Sequence, residues 1–316
     1  MQQYNSIDEI AIENAWLTIG IFDGVHRGHQ QVLQRLITGA HKNGGPAVVL
    51  TFTPHPAVVF GGVSNFKSLN TPKERAQILA SLGVDILIDQ TFDHILANQT
   101  AVEFMQRLCR HLGLKHLVMG YDTALGRGRE ANATRLTEIG KELGYTSEII
   151  PPLKDGQGIL SSTRIRAAVA AGNMTAAAAD MGRYFFVAGP VVHGDGRGHT
   201  INLPTANIQV PAGKLIPANG IYACWAWVEG QRYLAAINVG VRPTFTPDLP
   251  APAVEAYILD FHRSIYGVEV KLEFVQYLRP EEKYPNVKEL LDQIQLDIIK
   301  TREVLLETKP VKKDTN

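Results

Sequence analysis

The chain has 316 residues, 45% of them hydrophobic and 20% charged, with Lys+Arg 31 balancing Asp+Glu 31. That length exceeds one ordinary core, so two domains are expected, and zero formal charge excludes a global field that would recruit nucleic acid or an anionic membrane. Residues Met1 to Asn5 lack a basic region followed by an apolar one, no apolar run is long enough to span a bilayer, and the only cysteines, Cys109 and Cys224, lie far apart in apolar surroundings; a cytoplasmic protein with reduced thiols and small-molecule partners is predicted.

The first predicted strand is the apolar run Trp16-Leu17-Thr18-Ile19, and Val32, Leu33, Leu36 and Ile37 then recur at helical spacing. Between them lies Gly20-Ile21-Phe22-Asp23-Gly24-Val25-His26-Arg27-Gly28-His29. In a parallel sheet this junction falls at the strand's carboxyl end, where a helix start offers unpaired N–H groups to a phosphate. His26 and His29 can donate hydrogen bonds to phosphate oxygens and to charge developing at an attacked α-phosphate. A shared metal or a plain surface turn are the competing readings, but no third ligand with recognisable spacing follows. The stretch matches neither a Walker A loop nor Gly-x-Gly-x-x-Gly.

A second apolar strand, Ala47 to Phe52, runs to Pro54-His55-Pro56, whose stiffness suits one wall of a pocket or a simple strand stop. Thr71-Pro72-Lys73-Glu74 predicts a capping box opening a helix that closes at Gly83. Strand Val84 to Ile88, a capped helix from Thr100 to Gly113, strand His116 to Gly120, a helix through Leu136, Ile139 and Leu143, and strand Glu148 to Ile150 follow. This alternation predicts right-handed βαβ units and a parallel sheet. Asp122 ends a strand at the same edge, where it suits a ribose, a metal or a turn cap, and Gly126-Arg127-Gly128-Arg129 adds two guanidiniums. Ser161-Ser162-Thr163-Arg164-Ile165-Arg166 opens an alanine-rich helix ending near Gly172, either as a hydroxyl cap or as a triphosphate clamp.

After Met181-Gly182-Arg183 short β-rich runs dominate, over 184–193, 220–228, 233–239, 254–261 and 268–277, and a helix through Val287, Leu290, Leu291, Ile294 and Ile298 closes the domain. A small antiparallel barrel with a helix packed outside is expected. The boundaries are therefore placed at 1–181, 182–309 and a polar tail 310–316. The loop His193 to Thr200, including Gly198, can bring backbone amides to phosphates, while Thr205 and Asn207 offer hard oxygen ligands for Mg²⁺. Glu255 could accept a proton from an alcohol attacking a γ-phosphate if it faces a pocket; on the outer face it would only be solvated. The hydroxyl, amide and carboxylate of Thr205, Asn207 and Glu255 are expected inside the closed sheet.

Together these stretches, with Asn238 to Phe245, Tyr266-Gly267 and Leu278-Arg279, resemble the bacterial bifunctional FAD synthetases over nearly the whole chain. The resemblance implies a Rossmann-like nucleotidyltransferase domain, then a riboflavin kinase barrel with a C-terminal helix. It also implies two reactions: ATP phosphorylates riboflavin to FMN, and a second ATP adenylylates FMN to FAD. By this likeness Gly20, Phe22, His26 and His29 bind ATP, helped by Ser162, Thr163 and Arg166, and Asp122 lies beside nucleotide and flavin. Pro54 and Pro56 flank the flavin. Gly198, Thr205 and Asn207 bind the second nucleotide, Thr205 and Asn207 with Mg²⁺; Glu255 is the general base, and Arg279 lies near the flavin. The chain departs from the usual pattern at Thr53, at Thr123-Ala124-Leu125, where aromatics are usual, and at Asn202. A lost aromatic wall gives up about 0.5–1.5 kcal/mol of stacking, which motivates the alternative of a kinase alone beside a degenerate first module. A non-catalytic flavin-binding regulator or carrier is the alternative of another class.

Overall fold

The computed structural model describes residues 1–61, 66–194, 204–242 and 251–308. It divides into two compact units, Met1–Ser161 and Ser162–Asn316.

The first unit is built on a six-stranded sheet. Its strands and main helices are β1 (Gln2–Tyr4), β2 (Trp16–Ile19), α1 (Arg27–Lys42), β3 (Ala47–Thr53), α2 (Pro72–Ser81), β4 (Ile86–Thr91), α3 (Ala101–Leu112), β5 (His116–Gly120), α4 (Ala133–Leu143) and β6 (Thr146–Ile150). The order is β1-β4-β3-β2-β5-β6, and every pairing is parallel. Central strands are covered on both faces, which is why they read as continuous apolar runs rather than as alternating ones. Val49, Leu87 and Val118 pack with Leu33 and Leu36 of α1 and Leu79 of α2. On the other face Leu17, Leu50 and Ile88 pack with Leu108 of α3 and Leu136 of α4.

The expected capping boxes form: Thr71 with Glu74, and Thr100 with Glu103. Each cap satisfies helix-start donors and is worth about 1 kcal/mol. Both ends of β4 differ from expectation. Val84 and Asp85 make the exit from α2, with Val84 N–H on the Leu79 carbonyl and the Asp85 carboxylate accepting from Ala47 N–H, so β4 starts at Ile86. It then runs past Ile88 through Asp89-Gln90-Thr91, where Asp89 is tolerated because Arg75 meets it. The edge strand β1 was not expected; its residues are polar and mostly exposed and carry no hydrophobic period.

The second unit opens with α5 (Ser162–Ala170), which ends near Gly172 as expected, and α6 (Met174–Met181), a second helix that was not expected. A closed barrel follows from β7 (Phe185–Val192), β8 (Ala206–Ile208), β9 (Gly220–Val228), β10 (Gln231–Arg242), β11 (Ala251–Ile258) and β12 (Glu269–Arg279), in the order β7-β8-β11-β10-β9-β12 with β12 returning to β7. Its interior is apolar, with Phe185, Tyr222, Ile237, Val254, Leu272 and Phe274 all buried. The short strand β8 was not among the expected β-rich runs.

Helix α7 (Val287–Glu307) lies against the outside of the barrel, as expected. Its buried residues, Asp297, Thr301 and Leu305, share a face with the half-buried Leu290, Ile294 and Ile298, with Leu291 half-buried at its border, while Val287 at the helix start is exposed. On this face Asp297 accepts from Arg279 Nε at 2.8 Å and Nη2 at 2.7 Å. Periodicity identified the helix and its packed face, and this bidentate bond ties it to the end of β12.

Candidate active sites

In the first unit the strand order reverses at β2, with β3 and β4 on one side and β5 and β6 on the other. Ligands of open α/β sheets bind in the crevice outside the carboxyl ends at such a switch point. The segment leaving β2 carries Gly20 to His29, and the segment leaving the adjacent β5 carries Asp122.

His26 is the N-cap of α1, its Nδ1 accepting from His29 N–H at 3.3 Å. A ring that accepts at Nδ1 carries its neutral-state proton on Nε2, which is then a donor. The His26 and His29 rings stack with centroids 3.6 Å apart and planes 17° from parallel, and the Phe22 ring meets His29 edge-on at 5.2 Å. The tight turn has two requirements for glycine. Gly24 has φ +81° and a Cβ there would lie 2.7 Å from Leu69, while a Cβ at Gly20 would press on the Phe22 ring at 3.1 Å. Gly20, Phe22, His26 and His29 are therefore brought together.

The turn is tied to its neighbours. The Ile21 carbonyl accepts from Thr51 Oγ1 at 3.2 Å and Arg75 Nη1 at 3.3 Å, and Asp23 accepts from Asn70 N–H at 3.2 Å. Pro54 and Pro56 leave the carboxyl end of β3, where His55 caps the single helical turn Pro56–Val59. Asp122 is exposed, and its carbonyl accepts from Arg129 at 3.2 Å. Ser162, Thr163 and Arg166 stand in the first turns of α5, within the second unit.

In the barrel, Asn207 pairs with Glu255 across β8 and β11, and Glu255 pairs with Asn238 across β11 and β10. Directly opposed residues share a face, so amide, carboxylate and amide form one row. Val254, Ala256 and Ile258 are buried and point inward, which places Glu255 and its neighbours on the outer face. This corrects the expectation of a trio inside the closed sheet: the interior is filled by apolar side chains, and period-two alternation sends Glu255 the other way. The outer row is nevertheless not simply solvated. Asn207 is buried, with the Gly194 backbone against its amide so closely that a Cβ on Gly194 would fall 2.2 Å from Asn207 Nδ2. Thr205, just before β8, is half-buried. Gly198 and Asn202 lie outside the described residues.

Arg279 stands where β12 ends, opposite Ile221 of β9. Its Nε and Nη2 are given to Asp297 and its Nη1 to the Pro280 carbonyl. The hydrogen bond to Asp297 raises its pKa from the ordinary arginine value. Its observed task is to anchor α7. Sequence reasoning gave no role to Asn238, which donates to Glu281 at 3.2 Å; a polar residue between inward-facing Ile237 and Val239 was the available signal. It also passed over Arg75.

The chain thus presents two modules, one with a histidine pair at a sheet switch point and one with a carboxylate–amide row on a closed barrel, and its similarity to known proteins gives the class of enzyme they form. The FAD synthetase family model matches residues 8–164 and the Riboflavin kinase model residues 181–305. The bifunctional riboflavin kinase/FMN adenylyltransferase of Listeria monocytogenes is 36% identical over 93% of this chain and 94% of that protein. Those of Bacillus subtilis and Escherichia coli are 34% and 33% identical, covering 89% and 97% of this chain and the same shares of theirs. Among solved structures, a crystal structure of a macrolide-efflux protein from Streptococcus pneumoniae superposes with a TM-score of 0.87 at 32% identity, covering 95% of this chain and 98% of that one. Among the described residues no helix is long and apolar enough to cross a membrane.

The chain belongs to the bifunctional riboflavin kinase/FMN adenylyltransferase family. It phosphorylates riboflavin to FMN and adenylylates FMN to FAD, with ATP in both steps, and both enzymatic domains are present. The kinase-only and non-catalytic alternatives give way to this.

Proposed function

We propose that the two reactions run at separate sites, adenylylation at the His26–His29 turn and phosphorylation at the Asn207–Glu255 row. The carrying observation is the barrel register, which sets one carboxylate between two amides abreast, beside Thr205. We place the boundary between the modules at 181/182, where the Riboflavin kinase model begins, while the compact units divide earlier, after Ser161, with 310–316 as a tail.

In adenylylation a phosphate oxygen of FMN attacks the α-phosphorus of ATP, and the bond to the pyrophosphate oxygen breaks. His26 and His29, at a helix start, donate to phosphate oxygens as charge builds on them, the kind of preorganised donor that lowers such barriers. Asp122 and the Pro54–Pro56 turn border the flavin side. In the kinase reaction Glu255 takes the proton from the ribityl hydroxyl as that oxygen attacks the γ-phosphorus and ADP leaves.

Mg²⁺ fits the donors of the second site: the Thr205 hydroxyl and Asn207 amide oxygen are hard ligands. Among the described residues no group of three His, Cys, Asp or Glu could hold a metal, so the cation would share nucleotide phosphates and water as ligands, a usual arrangement for Mg²⁺. When bound it neutralises charge on the phosphate oxygens. Small molecules are the proposed partners, without nucleic acid or membrane, and the free thiols Cys109 and Cys224 suit a cytoplasmic setting.

The test is one incubation of riboflavin, ATP and Mg²⁺, with FMN and FAD followed separately for wild type and for variants at each site. Loss of both activities from a change at one site would overturn the two-site assignment.

A further inference from the structure

Arg75 is a buried charge that neither catalytic step uses. It rises from the first turn of α2 and is 6% exposed. Its Nη1 donates to the Ile21 carbonyl at 3.3 Å; its Nη2 donates to Thr53 Oγ1 at 3.0 Å and to the Asp89 carboxylate at 3.2 and 3.3 Å. One planar group thus spans the ends of β2, β3 and β4. Ile21 begins the turn that carries His26, and Thr53 immediately precedes Pro54.

Such an arrangement is a poor device for stability alone. Desolvating a guanidinium is expensive, and an apolar side chain of similar volume often serves a core as well or better. Beside it, the buried Asn70 side-chain amide and Arg75 Nε find no hydrogen-bond partner among the described residues, which a cluster selected only for stability would avoid. What a planar fork does supply is a fixed distance between the groups it joins.

From this geometry we infer that Arg75 is a positioning residue for adenylylation, clamping the nucleotide turn at Ile21 to the flavin-side turn at Thr53-Pro54. The inference rests on the proposed reading of those two turns. Arg75 touches neither substrate; it sets the spacing across which the FMN phosphate meets the α-phosphorus of ATP. Small misplacements of reacting groups are costly in rate.

The test measures adenylylation of supplied FMN in the full chain, with KM for ATP and FMN determined separately and riboflavin kinase activity of the same preparation as the folding control. Arg75→Lys keeps the charge facing Asp89 but cannot span both turns. It is expected to lower kcat/KM for FAD formation by about 10–100-fold, raise KM for both substrates, and leave the kinase within about twofold. Thr53→Val removes one hydroxyl and keeps the side-chain shape, so KM for FMN is expected to rise while KM for ATP does not. Adenylylation by Arg75→Lys within twofold of wild type, or an unchanged KM for FMN in Thr53→Val, overturns the inference. If both activities of Arg75→Lys fall in parallel, the change acts through folding and Thr53→Val decides. His29→Ala, run alongside, separates the two layers: intact FAD formation there sinks the site itself, whereas loss there with normal Arg75 and Thr53 variants sinks only the clamp.

Discussion

Asn207 and Glu255 face each other across adjacent antiparallel strands on the outer surface of the barrel, the amide buried beneath the backbone of Gly194. The kinase chemistry assigned to this pair does not need the barrel's interior; it needs a covered row of polar groups, and the wall of a barrel supplies a rigid one.

Glu255→Gln keeps the shape and the neighbours but removes the proton acceptor. FMN formation is expected to fall by about 10²–10⁴-fold, while adenylylation of supplied FMN stays within about twofold. Unaltered kinase turnover would remove Glu255 from its role.

His29→Ala deletes one of two stacked imidazoles at the start of α1. FAD formation from FMN is expected to drop by about 10²–10³-fold with riboflavin phosphorylation intact. A comparable loss in both reactions would overturn the assignment of two separate sites.

Gly194→Ala puts a methyl group where the Asn207 amide now lies, since the built Cβ falls 2.2 Å from Nδ2. Overpacking of this kind costs about 1–3 kcal/mol. If Asn207 shifts, KM for ATP in the kinase reaction should rise about tenfold, the equivalent of about 1.4 kcal/mol. Adenylylation serves as the control, and an unmoved kinase KM argues that Asn207 holds no nucleotide.

His116 provides a pH-dependent prediction away from both sites. Burial pushes its pKa below the ordinary 6.5, against the pull of Glu148 and with a smaller push from Arg35, and its ring lies on Trp16 at 4.1 Å. Above 6.5 the ring is neutral in folded and unfolded chains alike and contributes no pH dependence. Below 6.5 the unfolded chain takes up the proton first, so stability falls until the folded-state pKa is passed. Denaturant melts from pH 8 to 5 should show this loss in wild type and a smaller one in His116→Gln. Identical slopes would mean that the ring is not held neutral.

Much of the fold was legible in the residues. Thr71-Pro72-Lys73-Glu74 and Thr100 to Glu103 announce their helices because a cap needs only neighbours within one turn. The strands β2, β3 and β5 announce themselves because burial on both faces leaves unbroken apolar runs. The Gly20–His29 turn was legible for the same local reason: the glycines, the histidine spacing and the following helix lie within about three turns of chain, and the structure stacks the two rings.

What stayed hidden depends on partners far along the chain. Asp89 looks like the end of a strand until Arg75 meets it, and a buried Asp297 on the packed face of α7 has no reason until Arg279 meets it. Asn238 joins Glu255 only through the register of β10 and β11. Composition, period and motif order determined by themselves most of the elements, their sequence along the chain and the likeness to a two-reaction flavin enzyme, since each rests on short-range steric and solvation preferences. Tertiary structure alone decided which side of the barrel is the polar one and what covers it, what ties down the last helix, and what holds the nucleotide turn. Those outcomes follow from long-range pairing and the matching of buried charges, which no local window contains.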